Sequence, residues 1–260
     1  MPADVLRRVR VVLFDIDDTL TSHGRLTAGA YAALESLQAA GLITVPISGR
    51  PAGWCDHIAR MWPVDGVVGE NGAFYFCFDQ RAGKLVQRFV KDDATRAQDR
   101  VRVDVVARRI LDEVPGCALA SDQAFRQADI AIDFCEDVPA LSEKDVLRIR
   151  DLMVQAGLTA KISSIHVNGW IGSYDKLSTA RLFAAERLGM DLDALKNACV
   201  FVGDSPNDAP MFAYFPHAVG VANVRRFTSQ LEALPAFVTT QECGAGFVEL
   251  AARLLDARRD

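Results

Sequence analysis

Over its first quarter the chain alternates short, continuous apolar runs with segments of helical periodicity. Arg10 to Phe14 is an apolar run bounded by charges, the pattern of a strand buried on both faces. Thr27 to Ala40 repeats apolar residues at helical spacing through Ala30, Ala33, Leu34 and Leu37, and Gly41 offers a helix stop. Leu42 to Ile47 returns to strand character. Pro51 opens a second helix that reaches about Trp62, before Pro63, and Val64 to Val68 reads as a third strand. Strands and helices alternating at these lengths predict a parallel sheet with crossover helices.

From Gly72 the rhythm changes. Phe74–Phe78 and Leu85–Val90 predict a hairpin joined by the polar turn 79–84, and a charged helix is expected over Asp93–Glu113. Ala128–Phe134 alternates large apolar with smaller or polar positions, as a half-buried strand does. Ser142 resembles the capping start of a helix ending near Gly157, and Lys161–Val167 is expected to be one further strand. The block reads as a small α+β unit inserted into the first domain. After Tyr174 the α/β alternation resumes. A helix is expected over Asp175–Leu188, strands over Cys199–Val202 and Ala218–Val221, a short helix over Pro206–Tyr214 and a last helix over about Ala245–Leu255.

Composition narrows the setting rather than the chemistry. The chain has 260 residues, half of them apolar, and a net charge of −5, so neither nucleic acid nor an anionic membrane surface is an expected partner. The apolar stretch near the amino terminus ends at once in Asp15, Asp17 and Asp18, unlike a secretory leader. Six cysteines are scattered without CxxC or zinc-like spacing. A reducing cytoplasmic setting is therefore expected, with the chain a monomer or homodimer.

Two acidic loops follow predicted strands: Asp15-Ile16-Asp17-Asp18-Thr19 and Gly203-Asp204-Ser205-Pro206-Asn207-Asp208. In open parallel sheets, ligands bind outside the carboxyl ends of the strands. Carboxylates gathered there repel one another, and a hard divalent cation such as Mg²⁺ is the simplest resolution. Ser48-Gly49-Arg50 after another strand offers a hydroxyl and free N–H groups to phosphate oxygens. Lys176 opens its helix, where an ammonium can neutralise both a carboxylate and a phosphoryl group.

These four elements, in this order, resemble the haloacid dehalogenase superfamily. Its phosphatases carry DxDxT, then Ser or Thr, then Lys, then a late acidic motif such as GDxxND. The departure is Asp18, where many relatives have Gly. The resemblance implies an α/β fold, a doubly wound, Rossmann-like parallel-sheet core with an inserted α+β cap of the C2 type. It points to the Cof-like branch, which includes sugar-phosphate phosphatases. The core is then expected over 1–83 and 168–260 and the cap over 84–167. The implied activity is hydrolysis of a small phosphorylated metabolite. Asp15 is implied as the nucleophile that forms an aspartyl-phosphate, and Asp17 as the acid and base. Mg²⁺ would be held by Asp15, the Asp17 carbonyl, Asp204 and Asp208. Ser48 and Lys176 would steady the phosphoryl group. Gly49, Arg50, Asn71 and Asn207 would complete the substrate site, with Asn207 orienting Lys176 or a phosphate oxygen.

Other readings make different demands. A phosphomutase of the same superfamily needs a second basic phosphate site in the cap, and none is evident. A receiver-like signalling module would place its acceptor Asp after the third strand, where Val67-Val68-Gly69-Glu70 stands instead. His23, His57 and His217 have no metal-like spacing, and the arginines between Arg96 and Arg109 read as a solvated helix face. His166 and Trp170 could approach the site from the cap junction.

Overall fold

A computed structural model describes residues 1–259. The first half of the core runs α1 (Ala3–Arg8), β1 (Val11–Phe14), α2 (Ala28–Ala39), β2 (Ile43–Pro46), α3 (Ala52–Met61) and β3 (Val67–Gly69). A hairpin, β4 (Phe74–Asp79) and β5 (Lys84–Phe89), leads to α4 (Asp93–Glu113). Next come β6 (Ala118–Leu119), β7 (Asp129–Asp133), α5 (Glu143–Gln155), β8 (Thr159–Ile162) and β9 (His166–Trp170). The chain then returns through α6 (Lys176–Phe183), α7 (Leu192–Leu195), β10 (Cys199–Gly203), α8 (Ala209–Tyr214), β11 (Val219–Gly220), β12 (Phe237–Val238) and α9 (Cys243–Asp256).

The main sheet is parallel, in the order β12-β11-β10-β1-β2. Its central strand shows why the sequence reads as an unbroken apolar run. Val11 and Leu13 pack on one side with Cys199 and Phe201, and Val12 and Phe14 pack on the other with Val200 and Val202. Both faces are covered, so polar alternation has no place. The register sets Phe14 beside Val202 and Pro46, which brings the loops after β1, β10 and β2 to one edge of the sheet.

Three expectations need correction. The third strand does not extend the main sheet by a full ladder. It joins it through a single parallel bridge, Ile47 to Val68, and otherwise pairs antiparallel with β4. It also begins at Val67 rather than Val64, because Asp65 turns its carboxylate onto the Thr44 N–H at 2.8 Å. The expected strand 161–167 is two strands, β8 and β9, separated by a turn in which the Ser163 hydroxyl accepts the N–H groups of Ile165 and His166.

The inserted unit is a four-stranded sheet, β6-β7-β9-β8, with α4 and α5 packed on one face. Sheet pairing runs through both expected domain limits: residue 83/84 falls inside the β4–β5 hairpin, and 167/168 falls within β9. A hairpin's two strands share one ladder, so they stay in the same unit. Among the described residues no helix is long and apolar enough to cross a membrane.

Candidate active site

Strand β1 delivers Asp15 directly: its N–H donates to the Val202 carbonyl at 2.9 Å, continuing the ladder into the loop. Asp204 and Asp208 come from the loop after β10. Pro206 to Asp208 form a turn of 3₁₀ helix that folds Asp208 back, so that its Oδ2 accepts the Asp204 N–H at 3.0 Å. Gly203 permits this approach, because a Cβ there would lie 2.4 Å from Asp208 Oδ2.

Lys176 arrives from the far side of the insertion. Asp175 caps α6 by accepting the Ser178 N–H, and Thr179 donates to the Gly72 carbonyl at 2.6 Å, which pins the helix to the turn at 70–72. Gly72 has φ +107°, and a Cβ there would sit 2.1 Å from the Asp175 carbonyl oxygen. Only glycine fits that contact. The Lys176 ammonium thereby reaches Asp15 Oδ1 at 2.8 Å and Asp208 Oδ1 at 2.7 Å.

One carboxylate oxygen from each of Asp15, Asp204 and Asp208 lies within 4.8 Å of the others, and all three residues are buried. With Lys176 the group keeps two formal negative charges, three carboxylates against one ammonium. Burial, opposed by Lys176, pushes the Asp15 carboxyl up to about 7. Asp204 is pushed well above the usual carboxylate range by burial and by Asp208 and Asp15. Among the described residues its oxygens are met only by neutral donors, the Thr19 hydroxyl at 3.1 Å and the Asn223 amide at 3.0 Å. Burial works against the charge on Lys176, but its two carboxylate partners carry its pKa upward. This excess of dry negative charge fits a divalent cation held by oxygen ligands.

The other expected residues surround this cluster. Asp17 stands outside it, its carboxylate turned to Arg50, whose Nη2 is 2.8 Å and Nε 3.0 Å from Oδ1. Asp18 has φ +53°, a left-handed conformation in which glycine is the easy residue; its backbone is held there by Thr21 and Asn223. Buried Ser48 accepts the Arg50 N–H on its hydroxyl. Asn71 is buried, and among the described residues its Nδ2 has no hydrogen-bond partner; a Cβ on Gly49 would lie 3.2 Å from it. Asn207 lines the small pocket beside Asp15 and Asp17, and its Oδ1 accepts the Ser205 hydroxyl. Of the two roles expected of Asn207, orienting Lys176 or a phosphate oxygen, the first is taken by Asp208, whose Oδ1 accepts from the ammonium.

Several functional contacts lie beyond what the sequence suggested. Arg50 also pairs with Asp122 at 3.4 Å and Glu136 at 2.9 Å, both on the inserted unit. Arg126, fully buried, donates back to the Gly49 carbonyl. The Glu70 carboxylate accepts the N–H groups of Ala52, Gln127, Ala128 and Asp129, which ties the insertion to the start of α3. The only sequence signal for this tie is a charged residue in a turn otherwise made of Asn and Gly. His166 faces the site, with Nε2 2.9 Å from Glu136 Oε2, whereas Trp170 is a packing residue that donates to the Tyr174 carbonyl.

Buried carboxylates and a lysine, gathered beyond the strand ends of a parallel α/β sheet and overhung by an inserted α+β unit, define a hydrolase class. The sequence model for haloacid dehalogenase-like hydrolases matches residues 9–215, and the chain belongs to that family. No curated protein sequence matches it. Several solved structures share the fold. A Thermoplasma acidophilum protein superposes with TM-score 0.71 at 18% identity, over 95% of this chain and 98% of that one. The C-terminal domain of Candida albicans trehalose-6-phosphate phosphatase gives 0.70 at 13% identity, over 98% of each chain. The sucrose-phosphatase of Synechocystis, solved with sucrose and phosphate, gives 0.63 at 14% identity, over 95% of this chain and 98% of that one.

Proposed function

We propose that the protein is a Mg²⁺-dependent phosphomonoesterase acting on a small phosphorylated metabolite of the sugar-phosphate kind, with residues 90–172 acting as its cap. The observation that carries this reading is the buried set Asp15, Asp204, Asp208 and Lys176, assembled from loops far apart in sequence. The superposable phosphatases for trehalose and sucrose phosphates support it.

Asp15, Asp204 and Asp208 would hold the cation, joined by the Asp17 carbonyl. The cation, when bound, offsets the negative charge of the attacking carboxylate and of the phosphoryl oxygens. Asp15 then attacks phosphorus; a P–O bond to its carboxylate forms as the bond to the leaving oxygen breaks. Lys176 neutralises the carboxylate and the transferring group, and the Ser48 hydroxyl and the unpartnered Asn71 amide bind phosphoryl oxygens. Asp17 gives its proton to the leaving oxygen and later takes one from the water that hydrolyses the aspartyl-phosphate. For this Asp17 must leave Arg50, which the incoming substrate displaces. Arg50 and Arg126 are each paired with acidic groups of the inserted unit, Asp122, Asp129 and Glu136, which disfavours both as the second phosphate site a mutase requires.

The test is phosphate release from a panel of phosphorylated metabolites, with Mg²⁺ and with chelator, for the wild type and Asp15→Asn. Mg²⁺-dependent release that the substitution abolishes is expected. Folded wild-type protein releasing no phosphate from any of them would refute the reading.

A further inference from the structure

The pocket around Asp15, Asp17 and Asn168 leaves about 10 Å³ of free space, so the leaving group of a phosphate ester extends out of it, beside the residues that share its lining. The charges gathered there are unbalanced. Arg50 pairs with Asp17, Asp122 and Glu136, and Arg126 pairs with Asp122 and Asp129, so four carboxylates stand against two guanidiniums. The balance stays negative even with a proton on His166.

Exposure decides which sign a ligand meets. The Arg50 side chain is 4% exposed and that of Arg126 1%, whereas Glu136 keeps 26%. The loop that carries Glu136 is held in place. Buried Asp133, the last residue of β7, accepts the N–H groups of Cys135, Glu136 and Asp137 at 2.7–2.9 Å. This turn sets the Glu136 carboxylate 2.9 Å from both Arg50 Nη2 and His166 Nε2. His166 is 2% exposed and lines the pocket, and among the described residues its Nε2 completes no hydrogen bond. A buried polar atom left in this way beside a carboxylate calls for a polar group of the ligand as its partner. The larger cleft that meets the pocket through Ser163, Ser164 and Asn207 adds no net charge, since its lining sets Arg150 and Lys161 against Glu143 and Glu232.

We infer that the site selects its leaving group by charge, with Glu136 as the specificity-determining residue. An ammonium-bearing phosphate ester is favoured over a neutral one, and a neutral one over an ester that carries a carboxylate. The inference rests on the phosphatase reading and adds to it the chemical class of substrate. Its sign survives the displacement of Arg50 from Asp17, because the guanidinium moves within the cluster and no charge leaves it. An ammonium beside Glu136 and His166 donates a charge-assisted hydrogen bond to the carboxylate. A carboxylate in the same place meets a like charge, while Arg50 and Arg126 are already engaged.

The experiment measures kcat/KM at pH 7 for three pairs of esters whose members differ by one charge. The pairs are 2-aminoethyl and 2-hydroxyethyl phosphate, glucosamine 6-phosphate and glucose 6-phosphate, and glycerol 3-phosphate and 3-phosphoglycerate. In every pair that is turned over, wild-type enzyme is expected to favour the more positive member by about fivefold to tenfold, mainly through KM. Glu136→Gln keeps the shape and removes the charge, and is expected to bring the ratios close to one; Glu136→Asp should keep most of the preference. Glu113→Gln removes the same charge from α4, where Glu113 pairs with Arg109 and Arg148, and should leave the ratios in place. Wild-type ratios near one or inverted would overturn the proposal. So would a preference that Glu136→Gln leaves intact, or one that Glu113→Gln removes equally. In each of these cases release abolished by Asp15→Asn keeps the phosphatase reading standing. No release from any of the six esters brings down the inference together with its premise.

Discussion

Asp204→Asn is expected to make the metal-free protein more stable while destroying its activity. Asp204 is buried, with no cation beside it among the described residues, and its ligand oxygen lies within 4.8 Å of those of Asp15 and Asp208. At that separation and an effective dielectric of 20, each like-charge pair costs about 3.5 kcal/mol. Lys176 offsets part of this, and the raised pKa values of Asp15 and Asp204 mean that protonation relieves another part. A net gain of about 1–3 kcal/mol in unfolding free energy is left for the variant. The asparagine keeps one contact, accepting from Asn223 on its oxygen; its nitrogen can only donate to the Thr19 hydroxyl, whose own proton must turn to another acceptor, and this offsets part of the gain. Urea unfolding in chelator should show the higher midpoint for Asp204→Asn. Mg²⁺ should then reverse the order, since a cation at about a thousand times its Kd stabilises the wild type by about 4.1 kcal/mol. The reasoning is refuted if the variant is the less stable protein in chelator, or if Mg²⁺ raises both midpoints equally.

Two other consequences concern the junction of cap and core. Glu70→Gln places an amide NH₂ against backbone donors that now share a carboxylate, so about 2 kcal/mol of cap docking should be lost. Hydrogen exchange at Gln127–Asp129 should accelerate, with exchange in β1 and β10 little changed; unaltered protection at those three amides would contradict the tie. Glu136 is held down to about 2, from an ordinary 4.5, by the His166 imidazole and then by Arg50. A carboxylate depressed in the fold contributes stability above its unfolded pKa and loses it as pH falls toward the folded one. The stability gap between wild type and Glu136→Gln should therefore be full at pH 5 and narrow steadily toward pH 3. A gap that stays constant across that window would show that Glu136 makes no net ionic contribution.

The order of the motifs and the sheet they end on are legible in the chain itself. β1 and β10 are continuous apolar runs because both faces of a parallel sheet are covered. The acidic residues that follow each of them mark where the runs reach the ligand-binding edge. Local signals also place the ends of α2, α4 and α5, whose N-caps Thr27, Asp92 and Ser142 each accept an N–H within the first turn. The short strands β6 and β12, two residues each, are too brief to leave a period, and α1 carries little apolar stripe.

What the sequence by itself determined is therefore a parallel α/β core with Asp15, Ser48, Lys176 and Asp204 at its loop ends, since buried strands and caps are written in local pattern. Only the tertiary structure decided that Lys176 is gripped by Asp208 rather than oriented by Asn207, that Arg50 occupies Asp17, and that Glu70 holds the cap. Those choices join residues such as Lys176 and Asp15, 161 positions apart, or Thr19 and Asp204, 185 apart. Partners so distant in the chain leave no periodicity behind. They are selected by which buried charge or N–H group still lacks a partner once the sheet and its insertion have closed on each other.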